Sequence, residues 1–172
     1  MKHQLIISAL LLGVLVSCET PQAIYEQART LYEAKDYESA VPLYRRSAER
    51  GNAEAQLMLG KCYDFGYGVK KDIPEAVHWY RKAAQQGSAV AYNNLGLHYL
   101  NGQGVEQNKT MAAEYFAMAA HKDDANGQYN LGKCYYMGIG VPQNMEQAKF
   151  WVSKAAAQGH RNADLFMQDN NW

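Results

Sequence analysis

The chain has 172 residues, with 17 basic side chains against 17 acidic ones and 13 tyrosines. No basic run or stripe stands out, which argues against nucleic acid as a partner. The length admits one domain or one repeat array with a useful core, and no Pro-rich or Gly/Ser-rich linker marks a second.

Taken in chain order, Lys2 and His3 give a short basic start, followed by an apolar run from Leu5 to Val16 broken only by Ser8 and Gly13. That run falls short of the ~20 residues a membrane-spanning helix needs and reads as a signal-peptide core. It ends Leu15-Val16-Ser17-Cys18. This segment resembles the bacterial lipoprotein lipobox. The resemblance implies that Cys18 receives a diacylglycerol, that residues 1–17 are removed, and that Cys18 becomes the acylated N-terminus. Acyl burial at about 0.8 kcal/mol per methylene makes more than one chain a stable membrane anchor. Glu19 is not the aspartate that serves such proteins as a retention signal, so the implied site is the outer membrane, facing the periplasm. Residues 18–22 are expected to form a short lipidated tether. The mature chain of 155 residues carries 16 basic and 17 acidic groups, a net charge of −1.

Residues 23–52 carry Ala28, Tyr32, Asp36, Tyr37, Ala40, Tyr44 and Ala48. They are expected to form one helical hairpin with a short turn, similar to a tetratricopeptide hairpin. A 36-residue unit then occurs three times without gaps: residues 53–88 begin AEAQLMLGKCYDFGYGV, 89–124 begin AVAYNNLGLHYLNGQGV and 125–160 begin ANGQYNLGKCYYMGIGV. A period in this range signals stacked helical hairpins. Leu59, Leu95 and Leu131 precede Gly60, Gly96 and Gly132, and Tyr63, Tyr99 and Tyr135 follow three residues on, all on one helical face. A mid-helix glycine costs about 1 kcal/mol against alanine, so its recurrence predicts a second helix passing too close for a side chain.

A Gly-x-Gly-Val loop follows in each unit, its first glycine fitting a left-handed helix end and its second a further positive φ. Asp72, Asn108 and Asn144 are placed as N-caps, with Glu75 and Gln147 set for a capping box that Met111 breaks. The second helix carries Trp79, Tyr115 and Trp151 one turn before the pairs Ala83-Ala84, Ala119-Ala120 and Ala155-Ala156, a knob-and-hole arrangement. Gly87 and Gly159 end this helix, and Asp123 replaces glycine in the middle unit. Residues 161–172 begin like a fourth unit, with Ala163 and Met167, and are expected to form a capping helix and tail.

The pattern A-x-A-x-x-x-L-G-x-x-Y-x-x-G-x-G-V, a cap, then A-x-x-W-Y-x-K-A-A-x-x-G resembles the Sel-one-like repeat, a relative of the tetratricopeptide repeat. The resemblance covers residues 53–160. It implies an all-α, right-handed α-solenoid of about eight helices, with the first helix of each repeat lining a concave face that binds another protein or peptide. Positions on those helices that do not recur are the candidate binding residues: Leu57, Met58, Lys61 and Phe65; Asn93, Asn94, Leu97 and Asn101; Tyr129, Asn130, Lys133 and Met137. Apolar, amide and basic groups in that mixture suit an extended peptide or a partner's helix.

Cys62, His98 and Cys134 share one repeat position. Helices pack roughly 8–10 Å apart, so Cys62 and Cys134 should lie about 20 Å from one another. A disulfide needs its Cα atoms within about 7 Å, and zinc ligands must converge on one ion at about 2.3 Å. The three residues are therefore read as packing, with no metal and no cofactor expected. No S-x-x-K, G-x-S-x-G, H-E-x-x-H or P-loop string is present, so catalysis is not expected. The reading is a lipid-anchored envelope adaptor. The alternatives are a periplasmic immunity-type inhibitor of a toxin, or a binder of cell-wall fragments or small ligands.

Overall fold

The computed structural model describes residues 19–172; Cys18 and the apolar run before it lie outside them. Nine α-helices and no strands occur among the described residues: α1 (Pro21–Glu33), α2 (Tyr37–Glu49), α3 (Ala53–Phe65), α4 (Ile73–Gln85), α5 (Ala89–Asn101), α6 (Lys109–His121), α7 (Ala125–Met137), α8 (Met145–Ala157) and α9 (Arg161–Asp169). Each packs mainly on its neighbours in sequence, and α5 also touches α7. The first helices of successive hairpins thus form the tighter, inner layer of an α-solenoid.

The first eight helices are all 13 residues long, about 20 Å each. Side-chain caps start each of them. Asp72, Asn108 and Asn144 accept from the backbone N–H of Glu75, Met111 and Gln147 at 3.0, 2.9 and 3.0 Å. The Glu75 carboxylate is used elsewhere than the expected capping box: it accepts the indole N–H of Trp79 at 2.8 Å. The first helices are capped one residue before each repeat begins, by Asn52, Ser88, Asp124 and His160. Gly66, Gly102 and Gly138 end α3, α5 and α7 in the left-handed conformation, and Asp123 takes the glycine role with φ 58°.

The mid-helix glycines are where the two helices of each repeat meet. A Cβ on Gly96 would stand 2.5 Å from the Phe116 ring. One on Gly60 would meet Tyr80, and one on Gly132 would meet Val152. Around these contacts the core runs as a chain of small clusters rich in alanine, each bridging a hairpin and the next. Tyr44 sits at the centre of the first. It is fully buried among Tyr25 and Tyr32, and its hydroxyl has no hydrogen-bond partner among the described residues.

Two expectations change at the ends. The tether expected over residues 18–22 is, from residue 19 onward, part of the fold. Thr20 caps α1 and Pro21 opens it. The Glu19 carboxylate takes the Gln27 amide and the Arg46 guanidinium at 3.0 and 2.8 Å, and its carbonyl accepts from Arg50. At the other end α9 makes the count nine rather than eight. It buries Ala163 against Val152 and Ala155, with Phe166, Met167 and Trp172 packed around them, and Tyr136 donates to Asn170 at 2.9 Å.

Cys62 and Cys134 are buried free thiols, pushed up to about 12 and about 11 by desolvation, which keeps them protonated and unreactive.

Gly96→Ala should destabilise the protein by about 1–3 kcal/mol through overpacking, against the helix-propensity gain of about 1 kcal/mol that alanine normally brings. Tyr44→Phe should raise stability by up to ~1 kcal/mol, because it removes an unpaired buried hydroxyl. Urea unfolding followed by circular dichroism measures both; a neutral Gly96→Ala would mean that the hairpin relaxes at no cost.

Candidate protein-binding face

The candidate residues lie on α3, α5 and α7, and the structure divides them by what packing takes. Phe65 and Met137 are 61% and 53% exposed and Leu97 is 37% exposed; Asn101 is also exposed. These four project from the solenoid with no structural duty. Phe65 leans on Tyr67, which stacks in turn on Tyr37 at 4.9 Å, so an aromatic patch continues from the end of α3 to the start of α2.

The remaining eight are wholly or partly taken up. Asn93 is only 7% exposed and accepts the Asn130 amide at 2.8 Å. Its assignment as a contact residue is corrected: it ties α5 to α7. Met58 packs on the first core cluster and Leu57 on the second. Tyr129 stacks on His160 at 4.7 Å and packs on the last cluster, and Lys133 lies 5.5 Å from its ring centre. Lys61 and Asn94 are half-buried. Their place in the sequence did not separate these from the exposed four, because the first helix of an inner layer is buried on two sides rather than one.

A polar bridge crosses the same layer. His98 Nε2 lies 3.4 Å from Asp64 Oδ2, and Nδ1 faces the Gln103 carbonyl at 3.2 Å. The Tyr80 hydroxyl donates to the same Asp64 oxygen at 3.2 Å. Burial works to raise the Asp64 carboxyl, but hydrogen bonding and charge from His98, with the Tyr80 hydroxyl, outweigh it and hold the group below its ordinary value. Desolvation, then the Asp64 charge, pushes Tyr80 far up. His98 is thus a structural tie between α5 and α3, at the position where Cys62 and Cys134 pack. Among the described residues no three His, Cys, Asp or Glu side chains are grouped to hold a metal ion.

Two further features were not among the candidates. Gln56 and Gln128, 5% and 1% exposed, reach back to the carbonyls of Ala48 and Ala120. Each accepts an amide from the helix end ahead, Gln86 and Gln158, at 2.8 Å. Their recurrence in the first and third repeats, with Tyr92 between, was the available signal. The second feature is a groove at the middle junction, between α4 and α6.

A family model described as Sel1 repeat matches residues 25–52, 53–88, 89–124 and 125–160. It takes in the N-terminal hairpin together with the three 36-residue units. No curated protein matches the chain. Among solved structures, a protective antigen of uropathogenic Escherichia coli displaying an SLR fold superposes with a TM-score of 0.80 at 36% identity, over 84% of this chain and 32% of its own. A Sel1 repeat protein from Oxalobacter formigenes gives 0.77 at 36% identity, over 81% and 57%. Cysteine rich protein B of Helicobacter pylori gives 0.61 at 26% identity, over 76% and 94%. The chain therefore spans about a third and just over half the length of the first two.

Because its folded-state value is depressed, Asp64 adds stability that is present above the ordinary carboxylate value near 3.8 and is lost as the pH falls through the lower folded value. Asp64→Asn should cost about 1–3 kcal/mol at pH 7, with the gap from the parent closing only as the pH falls below the ordinary carboxylate value near 3.8. Urea titrations between neutral and acidic pH measure it, and a gap independent of pH would show that the carboxylate charge contributes nothing.

Proposed function

The chain belongs to the Sel1 repeat family, and from that premise we propose that it is a lipid-anchored envelope adaptor that binds another protein along the inner layer of its solenoid. The fold is that of a protein-interaction scaffold. The observation that carries the reading is the exposure of Phe65, Leu97 and Met137 in one band of successive first helices. Large apolar side chains left exposed on a rigid repeat surface mark an interaction site. Asn101, the half-buried Lys61 and Lys133, and Asn94 supply the polar rim that such a site needs.

Anchoring through Cys18 is supported by the lipobox resemblance. The docking of Glu19 onto Gln27, Arg46 and Arg50 bears on it too. With no slack after Cys18, a lipidated N-terminus would hold the ends of α1 and α2 against the bilayer and present the repeats edge-on to the periplasm. No helix among the described residues is long and apolar enough to cross a membrane, so the lipid would carry the attachment. The immunity-type and ligand-binding alternatives have no separate observation in their favour.

The test has two arms. Metabolic labelling with an alkyne fatty acid should tag the protein, and Cys18→Ala should remove the tag and free the chain from the membrane pellet. Photocrosslinkers at Leu97 and Phe65 should capture the same envelope protein in cells, while a crosslinker at Lys149, exposed on α8, should not. Equal capture from all three positions would sink the inner-layer site.

A further inference from the structure

The two layers of helices differ in where they carry negative charge. Each of the second helices α2, α4, α6 and α8 has at least one glutamate: Glu38 and Glu49, Glu75, Glu114 and Glu146. The first helices α5 and α7 have no acidic residue at all. α3 has two. Glu54 sits in its first turn, at the far end of the helix from Phe65, and Asp64 is committed to His98 and Tyr80. The stretch without a free carboxylate is bounded on one side by Glu26 and Glu33 of α1, both paired with Arg29, and on the other by Asp169 at the end of α9.

Within that stretch the outward positions alternate. At the ninth position of α3, α5 and α7 stand Lys61, Leu97 and Lys133. At the thirteenth, one turn on along the same face, stand Phe65, Asn101 and Met137. Each helix thus offers one apolar and one polar group, and the middle repeat reverses their order. Lys61 and Lys133 are half-buried, and neither forms an ion pair among the described residues. The Lys133 ammonium lies 5.5 Å from the centre of the Tyr129 ring, which narrows where its charge can point. Side-chain ties join α3 to α5 and α5 to α7, through Asp64 with His98 and Asn93 with Asn130. At helix spacings of about 10 Å, the two lysines stand roughly 20 Å apart with Leu97 between them.

We propose that the inner layer binds an extended acidic segment of a partner protein, with two carboxylates about six residues apart meeting Lys61 and Lys133 and an apolar side chain between them seated on Leu97. An extended chain advances about 3.3 Å per residue, so six residues cover the distance between the lysines, and the even spacing returns both carboxylates to one side of the strand. Phe65 and Met137 take the apolar residues beside each acid, and the exposed Asn101 offers a donor and an acceptor to the segment's backbone. Charge complementarity selects this occupant. A basic segment would meet two lysines with no free carboxylate on the helices to relieve them, and a wholly apolar one would leave both ammonium groups without a counter-charge. The inference rests on the adaptor reading and gives the chemistry of the partner at that same face.

Panning a random dodecapeptide phage library against the purified full chain tests it. The recovered peptides should be enriched several-fold in pairs of Asp or Glu six residues apart around an apolar residue. Binding of the best of them should weaken on the order of ten-fold between about 50 mM and about 500 mM NaCl. Lys61→Gln combined with Lys133→Gln should remove the acidic enrichment and weaken the best peptide by about ten-fold. Lys61→Arg combined with Lys133→Arg should keep both, and Lys149→Gln, an exposed change on α8, should alter neither. Peptides without acidic enrichment, a selection that recovers nothing, or an enrichment that survives the double glutamine variant would overturn the proposal. Crosslinking in cells from Leu97 and Phe65 reads the adaptor site independently. Capture of one envelope protein there, alongside neutral or basic peptides, would remove the acidic partner and leave the adaptor standing, whereas equal capture from Lys149 would remove the adaptor site whatever the peptides.

Discussion

The hairpins of the three 36-residue repeats each close on a helix contact that only glycine permits. Gly60, Gly96 and Gly132 let Tyr80, Phe116 and Val152 lie against the backbone of the facing helix. The distance between the two helices is fixed there, and much else follows from it. Helices held that close need small residues wherever they face one another, which is why Ala55, Ala76, Ala91, Ala112 and Ala148 are fully buried. The large side chains are displaced to the seams between hairpins. The gain per residue from burying alanine is small, so the core is thin and continuous, and each repeat depends on the next to cover it. That dependence makes α9 necessary: Ala163 and Phe166 do for the last hairpin what the following repeat does for the others.

Polar ties run across the same seams and set the register that alanine contacts leave loose. Gln56 with the Ala48 carbonyl, Gln128 with the Ala120 carbonyl, Asn93 with Asn130 and Asp64 with His98 each reach from one hairpin to the next. Each tie has at least one partner wholly or partly buried, so a slip of one helical turn would strand amides or a carboxylate away from water. That penalty is well above what the alanine packing alone would impose on the same slip. The solenoid is thus specified by small residues in its hairpins and by paired polar residues between them.

This division explains what the sequence disclosed. The period, the caps at Asp72, Asn108 and Asn144, the turn glycines and the helix pairs were legible because each repeats in phase and each has one local cause. The cross-seam partners were not, since they pair side chains about one repeat apart whose separation depends on how hairpins stack. Asn93 looked like a surface amide because its partner, Asn130, sits one repeat away. Glu19 looked like tether because the arginines that hold it come from the far end of α2. Of the twelve candidate contact residues, the four the structure leaves exposed lie at the ninth and thirteenth positions of the first helix, where the helix turns away from both its neighbours.

A repeat array tells its own structural requirements apart from everything else, because what packing demands it demands at each junction. Trp79 and Trp151 show that an indole fits the seam and that the neighbouring alanines and leucines accept it. At the middle junction Tyr115 takes the tryptophan's place on Ala84 and Leu95, which stay 4% and 0% exposed, so a smaller ring closes the same seam. Arg81 on Tyr99 repeats the pairing of Arg45 with Tyr63 one repeat earlier, so that contact too belongs to the stacking of the hairpins. What no junction demands is the exposure of Phe65, Leu97 and Met137 on the first helices, and those side chains are what an adaptor of this construction has to offer a partner.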